Sequence, residues 1–226
     1  MNRYSRNMNT LSQDENNSLK SRKVCVIGCG GLGGYIIEEL GRIGVGYITA
    51  VDADVFDETN LNRQILSDIT LIGISKSKAA KDRMMRVNPE ITLNALHQRL
   101  NEENGIEILK GHHVVVDALD NATTKKLLGR LCRELNIPLV HGAIGGWYGQ
   151  VSTIFPGDET LNLIYKDDKA AGVEKQLGNP PFTPAIIASI QVSEVIKILI
   201  NRGELLRNSI LYIDLLNMDF DLISIK

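Results

Sequence analysis

The sequence predicts an α/β protein with a mostly parallel sheet, helices on both faces, and antiparallel strands at the C-terminal end. Short apolar runs alternate with segments of helical spacing along most of the chain. Two of these runs end at an acidic residue, Asp52 and Asp117. The last two apolar runs, 211–214 and 220–225, follow one another with no helical pattern between them, which is typical of antiparallel strands.

Length and charge limit the classes of protein to consider. The 226 residues fit one domain, 1–226, and the formal net charge of −2 provides no general attraction for nucleic acid or an anionic membrane. No apolar run approaches the roughly 20 residues of a membrane span, and residues 1–21 lack the apolar stretch of a signal peptide. We therefore expect a cytoplasmic protein, without a nucleic-acid or membrane partner.

The elements follow in order along the chain. Residues 1–21 are polar and indicate an arm or a short helix. Strands are predicted at 23–27, 47–51, 91–96, 114–116, 138–140 and 150–155, and helices at 35–43, 76–87, 103–110, 123–135 and 184–201. Ser75 is a suitable N-cap for the second helix, and Asn88-Pro89 ends it. The segment 157–183 has few periodic apolar residues, and a loop this long is usually functional or disordered.

A glycine-rich turn follows the first strand. Gly28, Gly30 and Gly33 match the G-x-G-x-x-G pattern at the start of a helix. Without side chains, the backbone can approach a phosphate group, and the helix N-terminus offers free N–H groups. Asp52 ends the next strand, where a carboxylate can accept hydrogen bonds from ribose hydroxyls. The turn predicts a Rossmann-like nucleotide site, but by itself leaves NAD, FAD, S-adenosylmethionine and ATP open.

Two cations after the second strand favour ATP. Arg63 lies in the run 60–64, and Lys76 follows 73–75. Attack on the α-phosphate of ATP gathers negative charge on the phosphoryl oxygens, and fixed cations offset that charge. A dinucleotide dehydrogenase has no such need. Alone, Arg63 could be a solvated surface group and Lys76 a residue at a helix start, but the ordered set favours an ATP site.

A carboxylate at the end of the 114–116 strand is the candidate metal ligand. Ligands of open α/β sheets bind beyond the carboxyl ends of the strands, and Mg²⁺ takes one or two carboxylates together with phosphate oxygens. Asp120 is our Mg²⁺ candidate, with an N-cap of the following helix as the alternative. We expect Asp117 to be structural, and His141 to be a structural histidine rather than a site residue.

Taken together, these motifs resemble those of the MoeB/ThiF/HesA family, relatives of ubiquitin-activating enzymes. The resemblance extends over nearly the whole chain and is most specific in N-L-x-R-Q and D-N. The matching segments are 3–6, 28–33, 52–54, 60–64, 73–76, 117–121, 141–143, 149–151 and 184–197.

The resemblance implies an adenylyltransferase that uses ATP and Mg²⁺. Its substrate would be a small ubiquitin-like (ThiS- or MoaD-like) carrier protein with a Gly-Gly C-terminus, in sulfur transfer or cofactor biosynthesis. The carrier carboxylate would attack the α-phosphate, pyrophosphate would leave, and an acyl-adenylate would form. The implied site residues are Gly30 and Gly31 at the phosphates, Asp52 at the ribose, Asn60, Arg63, Gln64 and Lys76 around the triphosphate, and Asp120 at Mg²⁺. Gly28, Gly33, Asp54 and Asn121 are further implied nucleotide-binding residues.

The resemblance also implies a homodimer. Arg6 matches the arginine that family dimers insert into the neighbouring active site, although a flexible basic tail is the alternative. The segment 157–183 corresponds to the crossover loop that covers the carrier tail.

The chain departs from the family in its cysteines. Only Cys25, Cys29 and Cys132 are present, without a C-x-x-C pair, so we expect no structural zinc site and no thioester on the crossover loop. The chemistry should then end at the adenylate. Alternatives are activation of a non-protein carboxylate, as in tRNA threonylcarbamoyladenosine dehydratases, a nucleotide-binding partner without turnover, and, least favoured, an NAD-dependent oxidoreductase.

Overall fold

The computed structural model describes residues 3–165 and 177–225. In this part of the chain the strands are β1 (Lys23–Ile27), β2 (Tyr47–Val51), β3 (Thr92–Leu96), β4 (Val114–Asp117), β5 (Leu139–Gly145), β6 (Tyr148–Ile154), β7 (Ser209–Asp214) and β8 (Asp219–Ser224). They form one sheet in the order β3-β2-β1-β4-β5-β6-β7-β8. β1 to β5 pair in parallel, whereas β6, β7 and β8 are antiparallel additions. The predicted fold class is confirmed.

Helices cover both faces of the sheet. They are α1 (Gln13–Leu19), α2 (Gly31–Ile43), α3 (Lys76–Val87), α4 (Gly105–Leu109), α5 (Ala122–Glu134), α6 (Thr160–Ile164) and α7 (Phe182–Ile200). Short 3-10 helices occupy Ser5–Asn7, Glu58–Asn60 and Ile69–Leu71. α1, α2, α3 and α7 bury their apolar residues in one core, and α4, α5 and α6 in the core on the other face.

α7 is long and apolar enough to cross a membrane by length and composition alone. Its residues Ile187, Ala188 and Val195 are fully buried, because the helix packs against α2, β5 and β6. More than half of its most apolar window, 56%, is inside the fold. This packing explains the apolar composition of α7 as that of a core helix.

Most predicted elements are present, but the chain after β4 differs from the prediction. β5 was expected to end at residue 140 and instead continues through Gly142 to Gly145. A Cβ on Gly142 would lie 2.4 Å from the side chain of Gln191, so this glycine allows α7 to approach the strand rather than making a turn. The expected loop 157–183 contains α6 and the first residues of α7, and its part 166–176 lies outside the described residues.

Candidate active site

The turn between β1 and α2 depends on two glycines. Gly28 has a φ of +99°, and a Cβ at this position would lie 2.5 Å from the carbonyl oxygen of Ala118. A Cβ on Gly33 would lie 1.8 Å from the carbonyl oxygen of Gly28. Any side chain at either position would therefore push the turn away from the end of β4.

Gly30 and Gly31 have a different environment. A Cβ on Gly30 or Gly31 would make ordinary contacts, the nearest at 3.5 Å from Gln64 and 3.6 Å from Pro184. Gly30 is the N-cap of α2 and has no side chain that could cap the helix. The first N–H groups of α2 thus have no side-chain cap from this position, as an anion-binding helix N-terminus requires.

Asp52 connects the end of β2 to the glycine turn. Its Oδ2 accepts a hydrogen bond of 2.6 Å from the Cys29 backbone N–H, and its Oδ1 accepts one of 2.8 Å from the Asp54 N–H. The carboxylate thereby fixes the conformation of the glycine turn. Burial, and then the Asp52 charge, raises the pKa of the Cys29 thiol well above its ordinary value, so this thiol stays protonated at neutral pH.

The predicted cations lie on the same side of the site. Lys76 begins α3 and is only 8% exposed, and its Nζ is 3.4 Å from Asp54 Oδ2. Arg63 donates from Nη1 to the Thr59 carbonyl oxygen at 2.9 Å, and its side chain passes beside Gly31. Both cations are therefore held at the edge of the glycine turn.

Two amides complete this side. Gln64 is 6% exposed and faces Gly30, and its Oε1 is buried without a hydrogen-bond partner among the described residues. Asn60 accepts a hydrogen bond from the Asp57 N–H at 3.1 Å and closes the short helix that precedes Arg63. The structure thus gives Asn60 a role in shaping this turn, while Gln64 keeps an unused acceptor.

Asp120 lies beyond the carboxyl end of β4, two residues after Ala118, which contacts Gly28. The expected alternative, that Asp120 caps α5, is wrong because Asn121 is the N-cap and accepts from the Thr124 N–H at 2.9 Å. Asp120 is exposed and accepts a 3.3 Å hydrogen bond from Asn121 Nδ2. Its carboxylate faces solvent at the sheet edge where ligands of such folds bind.

A buried polar network below Asp120 was missed by the sequence reasoning. Lys125 Nζ donates to both carboxylate oxygens of Asp117, at 3.0 and 2.9 Å, and to the Gly142 carbonyl oxygen at 2.9 Å. His141 Nδ1 lies 2.7 Å from Asp117 Oδ2. All three charged or titratable side chains are at most 4% exposed. Asp117 and His141 are thus both buried and hydrogen-bonded, which agrees with the structural role expected for them.

Burial and neighbouring groups determine which side chains of this network are charged. Burial alone would raise the pKa of Asp117, but the Lys125 ammonium and the His141 hydrogen bond outweigh it and hold that pKa below its ordinary value. Burial lowers the pKa of His141, which keeps the imidazole neutral despite its bond to Asp117. The network therefore contains one ion pair and a neutral histidine.

Arg6 is the predicted site residue that the fold does not bring to the others. It is exposed in the 3-10 helix Ser5–Asn7, and Asn7 Nδ2 donates to the Ile43 carbonyl oxygen at the C-terminal end of α2. The glycine turn is at the opposite end of this 13-residue helix, which is roughly 20 Å long.

Within residues 3–165 and 177–225, no group of three or more His, Cys, Asp or Glu side chains could hold a metal ion.

An uncapped helix N-terminus over a glycine turn, with two cations and a carboxylate around it, defines a nucleotide-binding α/β enzyme suited to phosphoryl chemistry. A cavity of about 650 Å³ lies elsewhere, beside α5 and α6. It touches none of the predicted ATP residues, so the edge of the sheet is the better candidate site.

Comparison with known proteins gives the family. The ThiF family model matches residues 4–226, and the chain belongs to the ThiF family. The SAMP-activating enzyme E1 of Haloferax volcanii is 33% identical over 226 residues, covering 98% of this chain and 84% of that protein. The molybdopterin-synthase adenylyltransferase of Salmonella typhimurium is 31% identical over 209 residues, covering 90% and 83%. Some other curated relatives are longer, and the chain spans 54–60% of their length.

The fold is also that of a solved structure. E. coli MccB, in a crystal structure with AMPCPP and MccA, superposes with a TM-score of 0.84 over 99% of this chain and 71% of the other, at 22% identity. The predicted resemblance is thus confirmed, and with it the class of ATP-dependent adenylating enzymes to which the named relatives belong.

Proposed function

We propose that this protein adenylates the C-terminal carboxylate of a small ubiquitin-like carrier protein, with ATP as the second substrate, in sulfur transfer or cofactor biosynthesis. The observation that carries this proposal is the pairing of an open helix N-terminus with Arg63 and the nearly buried Lys76. Membership of the ThiF family and the activities named for its relatives support it.

The reaction would be an in-line displacement at the α-phosphate. A carrier carboxylate oxygen forms a bond to the α-phosphorus, the bond between the α-phosphorus and its bridging oxygen to the β-phosphate breaks, and pyrophosphate leaves. The product is a mixed anhydride, the acyl-adenylate. Arg63, Lys76 and the N–H groups of α2 offset the charge that develops on the phosphate oxygens.

Asp120 is the proposed Mg²⁺ ligand. Its carboxylate is exposed and accepts a weak hydrogen bond of 3.3 Å from Asn121 Nδ2, so its oxygens can still bind a cation. One carboxylate plus phosphate oxygens and water is a donor set that Mg²⁺ accepts. When bound with ATP, the ion would neutralise phosphate charge and orient the leaving group.

The test is carrier-dependent exchange of radiolabelled pyrophosphate into ATP. We expect exchange with a carrier that ends in Gly-Gly and none with the same carrier lacking these two residues. No reducible adduct should form on the enzyme, because Cys25, Cys29 and Cys132 are all buried with raised pKa values. Absence of exchange with every Gly-Gly carrier would refute the proposal, and turnover stimulated by tRNA instead would favour the non-protein substrate.

We further propose a homodimer in which Arg6 serves the partner's site. The position of Arg6 at the far end of α2 from its own glycine turn supports action across an interface. Mixing inactive Arg6→Ala with inactive Arg63→Ala should restore part of the exchange activity, because each mixed dimer contains one site with both arginines. No recovery in mixtures shown to exchange subunits would contradict this arrangement.

The chain is proposed to act as one adenylation domain, 1–226, in the cytoplasm. The continuous sheet and the two cores that share it support a single unit.

A further inference from the structure

We propose that Lys125 is a positioning residue, which acts through Asp117 to hold Asp120 and the base of the glycine turn in the geometry that ATP and its metal require. This inference rests on the proposed function, because it assigns a role toward the metal that Asp120 would bind. It concerns a lysine that no motif singled out.

The ammonium group of Lys125 uses all of its hydrogen-bonding capacity. Its ammonium has three protons, and the structure gives it three acceptors, two on Asp117 and one on Gly142. These acceptors lie at the end of β4 and in β5, while Lys125 itself is in the first turns of α5. One side chain thereby ties three elements together at the ligand-binding edge of the sheet.

The second step leads from Asp117 to Asp120. Asp117 Oδ1 also accepts a 3.0 Å hydrogen bond from the backbone N–H of Leu119, the residue before Asp120. On the far side of Asp120, Asn121 caps α5, and its carbonyl oxygen accepts from the Lys125 N–H at 3.2 Å. The turn that carries Asp120 is thus held on one side by the Asp117 carboxylate, to which Lys125 Nζ donates, and on the other by a main-chain hydrogen bond of α5, the helix that carries Lys125.

The third step leads from Asp117 to the glycine turn. Ala118 follows Asp117 directly, and its N–H donates to the Ile27 carbonyl oxygen at 3.0 Å. The carbonyl oxygen of Ala118 lies 2.5 Å from the position that a Cβ on Gly28 would occupy. A shift of Asp117 would therefore move both the metal carboxylate and the base of the phosphate-binding turn.

A buried ion pair is by itself weak support for stability, since well-packed apolar residues often stabilise a fold as much. What favours a positioning role is where the bonds of the pair lead. Besides bonding to each other, the Lys125 ammonium and the Asp117 carboxylate bond to the turn at Leu119 and to β5 at His141 and Gly142.

The experiment measures metal binding as well as turnover. Mn²⁺ is titrated by electron paramagnetic resonance into enzyme saturated with α,β-methylene-ATP. Pyrophosphate exchange is measured separately, with ATP, on the same enzyme preparations without the analogue. We compare Lys125→Met, Lys125→Arg, the paired change Asp117→Asn with Lys125→Met, and Asp120→Asn. Lys81→Met, on the exposed side of α3, is the matched control.

We expect Lys125→Met and the paired variant to weaken Mn²⁺ affinity and exchange by about 10–100-fold, as loss of groups that orient metal ligands does. Lys125→Arg should recover most of both. Affinity for metal-free ATP should also fall in Lys125→Met, because the base of the phosphate-binding turn moves with Asp117. If Lys125→Met does not fold, the paired variant tests the inference instead, because it leaves no unpaired buried charge.

Folded variants with wild-type Mn²⁺ affinity and exchange, altered only in melting temperature, would overturn the inference. An unchanged Mn²⁺ affinity in Asp120→Asn would overturn it together with the assigned metal ligand. Absence of exchange in the wild-type protein would be a different result, the failure of the proposed function.

Discussion

The two sides of the nucleotide site use their polar groups in opposite ways. On the glycine-turn side, Lys76 is 3.4 Å from its carboxylate partner and Gln64 has a buried oxygen without a partner among the described residues. On the β4 side, Asp117 and Lys125 are saturated by 2.9–3.0 Å bonds and are closed to solvent. Groups with unused bonding capacity are suited to binding a ligand, whereas saturated groups are suited to holding a shape.

The largest effect expected from this contrast is on catalysis. Arg63→Ala and Asp120→Ala should each reduce pyrophosphate exchange by about 10²–10³-fold, because each removes a charge that we propose to act on the transition state or its metal. Their melting temperatures should stay near that of the wild type, since neither residue is buried. Arg130→Ala, at an exposed arginine paired with Glu102, is the control and should keep full exchange. Near-normal exchange in both site variants would remove the roles assigned to them.

Substitutions on the β4 side should lower the stability of the protein. Asp117→Asn leaves Lys125 buried without a full counter-charge and should lower the free energy of unfolding by about 3–5 kcal/mol. Because the folded-state pKa of Asp117 lies below its ordinary value of 3.8, its charge stabilises the fold above that pH. This contribution is lost as the pH falls through the folded-state pKa.

Urea unfolding at several pH values measures both effects. The wild type should lose more stability than Asp117→Asn between neutral pH and pH 3. The difference between their free energies of unfolding should therefore become smaller in acid. A constant gap over this range would show that the charge of Asp117 does not stabilise the fold.

The smallest expected effect concerns Gln64, on the glycine-turn side of the site. Gln64→Leu should weaken ATP binding by about 10-fold, the loss of roughly one good hydrogen bond. It should not destabilise the protein, because the Gln64 oxygen that it removes has no partner in the described structure. Isothermal titration with ATP and a thermal melt measure the two quantities. A large fall in stability with unchanged affinity would place Gln64 among the structural groups instead.

Local patterns in the sequence were sufficient for much of this molecule. The runs that became β1, β2 and β4 are apolar and short, and Ser75 with Asn88 marked both ends of α3. The glycine turn and the cations after β2 follow a fixed order, so their convergence could be expected from the topology of a parallel sheet.

What the sequence did not indicate depends on distant partners. Gly142 is typical of a turn, and only the approach of Gln191 from α7 explains why it lies in a strand. Lys125 has no motif, because its acceptors come from the end of β4 and from β5. The alternative interpretation of Asp120 as an N-cap was wrong by one residue, since Asn121 has an equally good capping side chain.

The docking of α7 has a consequence for the order in which the protein matures on the ribosome. The glycine turn is synthesised early, but Pro184 beside Gly31 and Gln191, which donates to the Asp117 carbonyl oxygen at 2.9 Å, are synthesised late. The walls of the site are therefore incomplete until α7 has emerged and packed. Bound ATP therefore cannot stabilise the growing chain before α7 has packed. It can raise the free energy of unfolding only once the domain is complete.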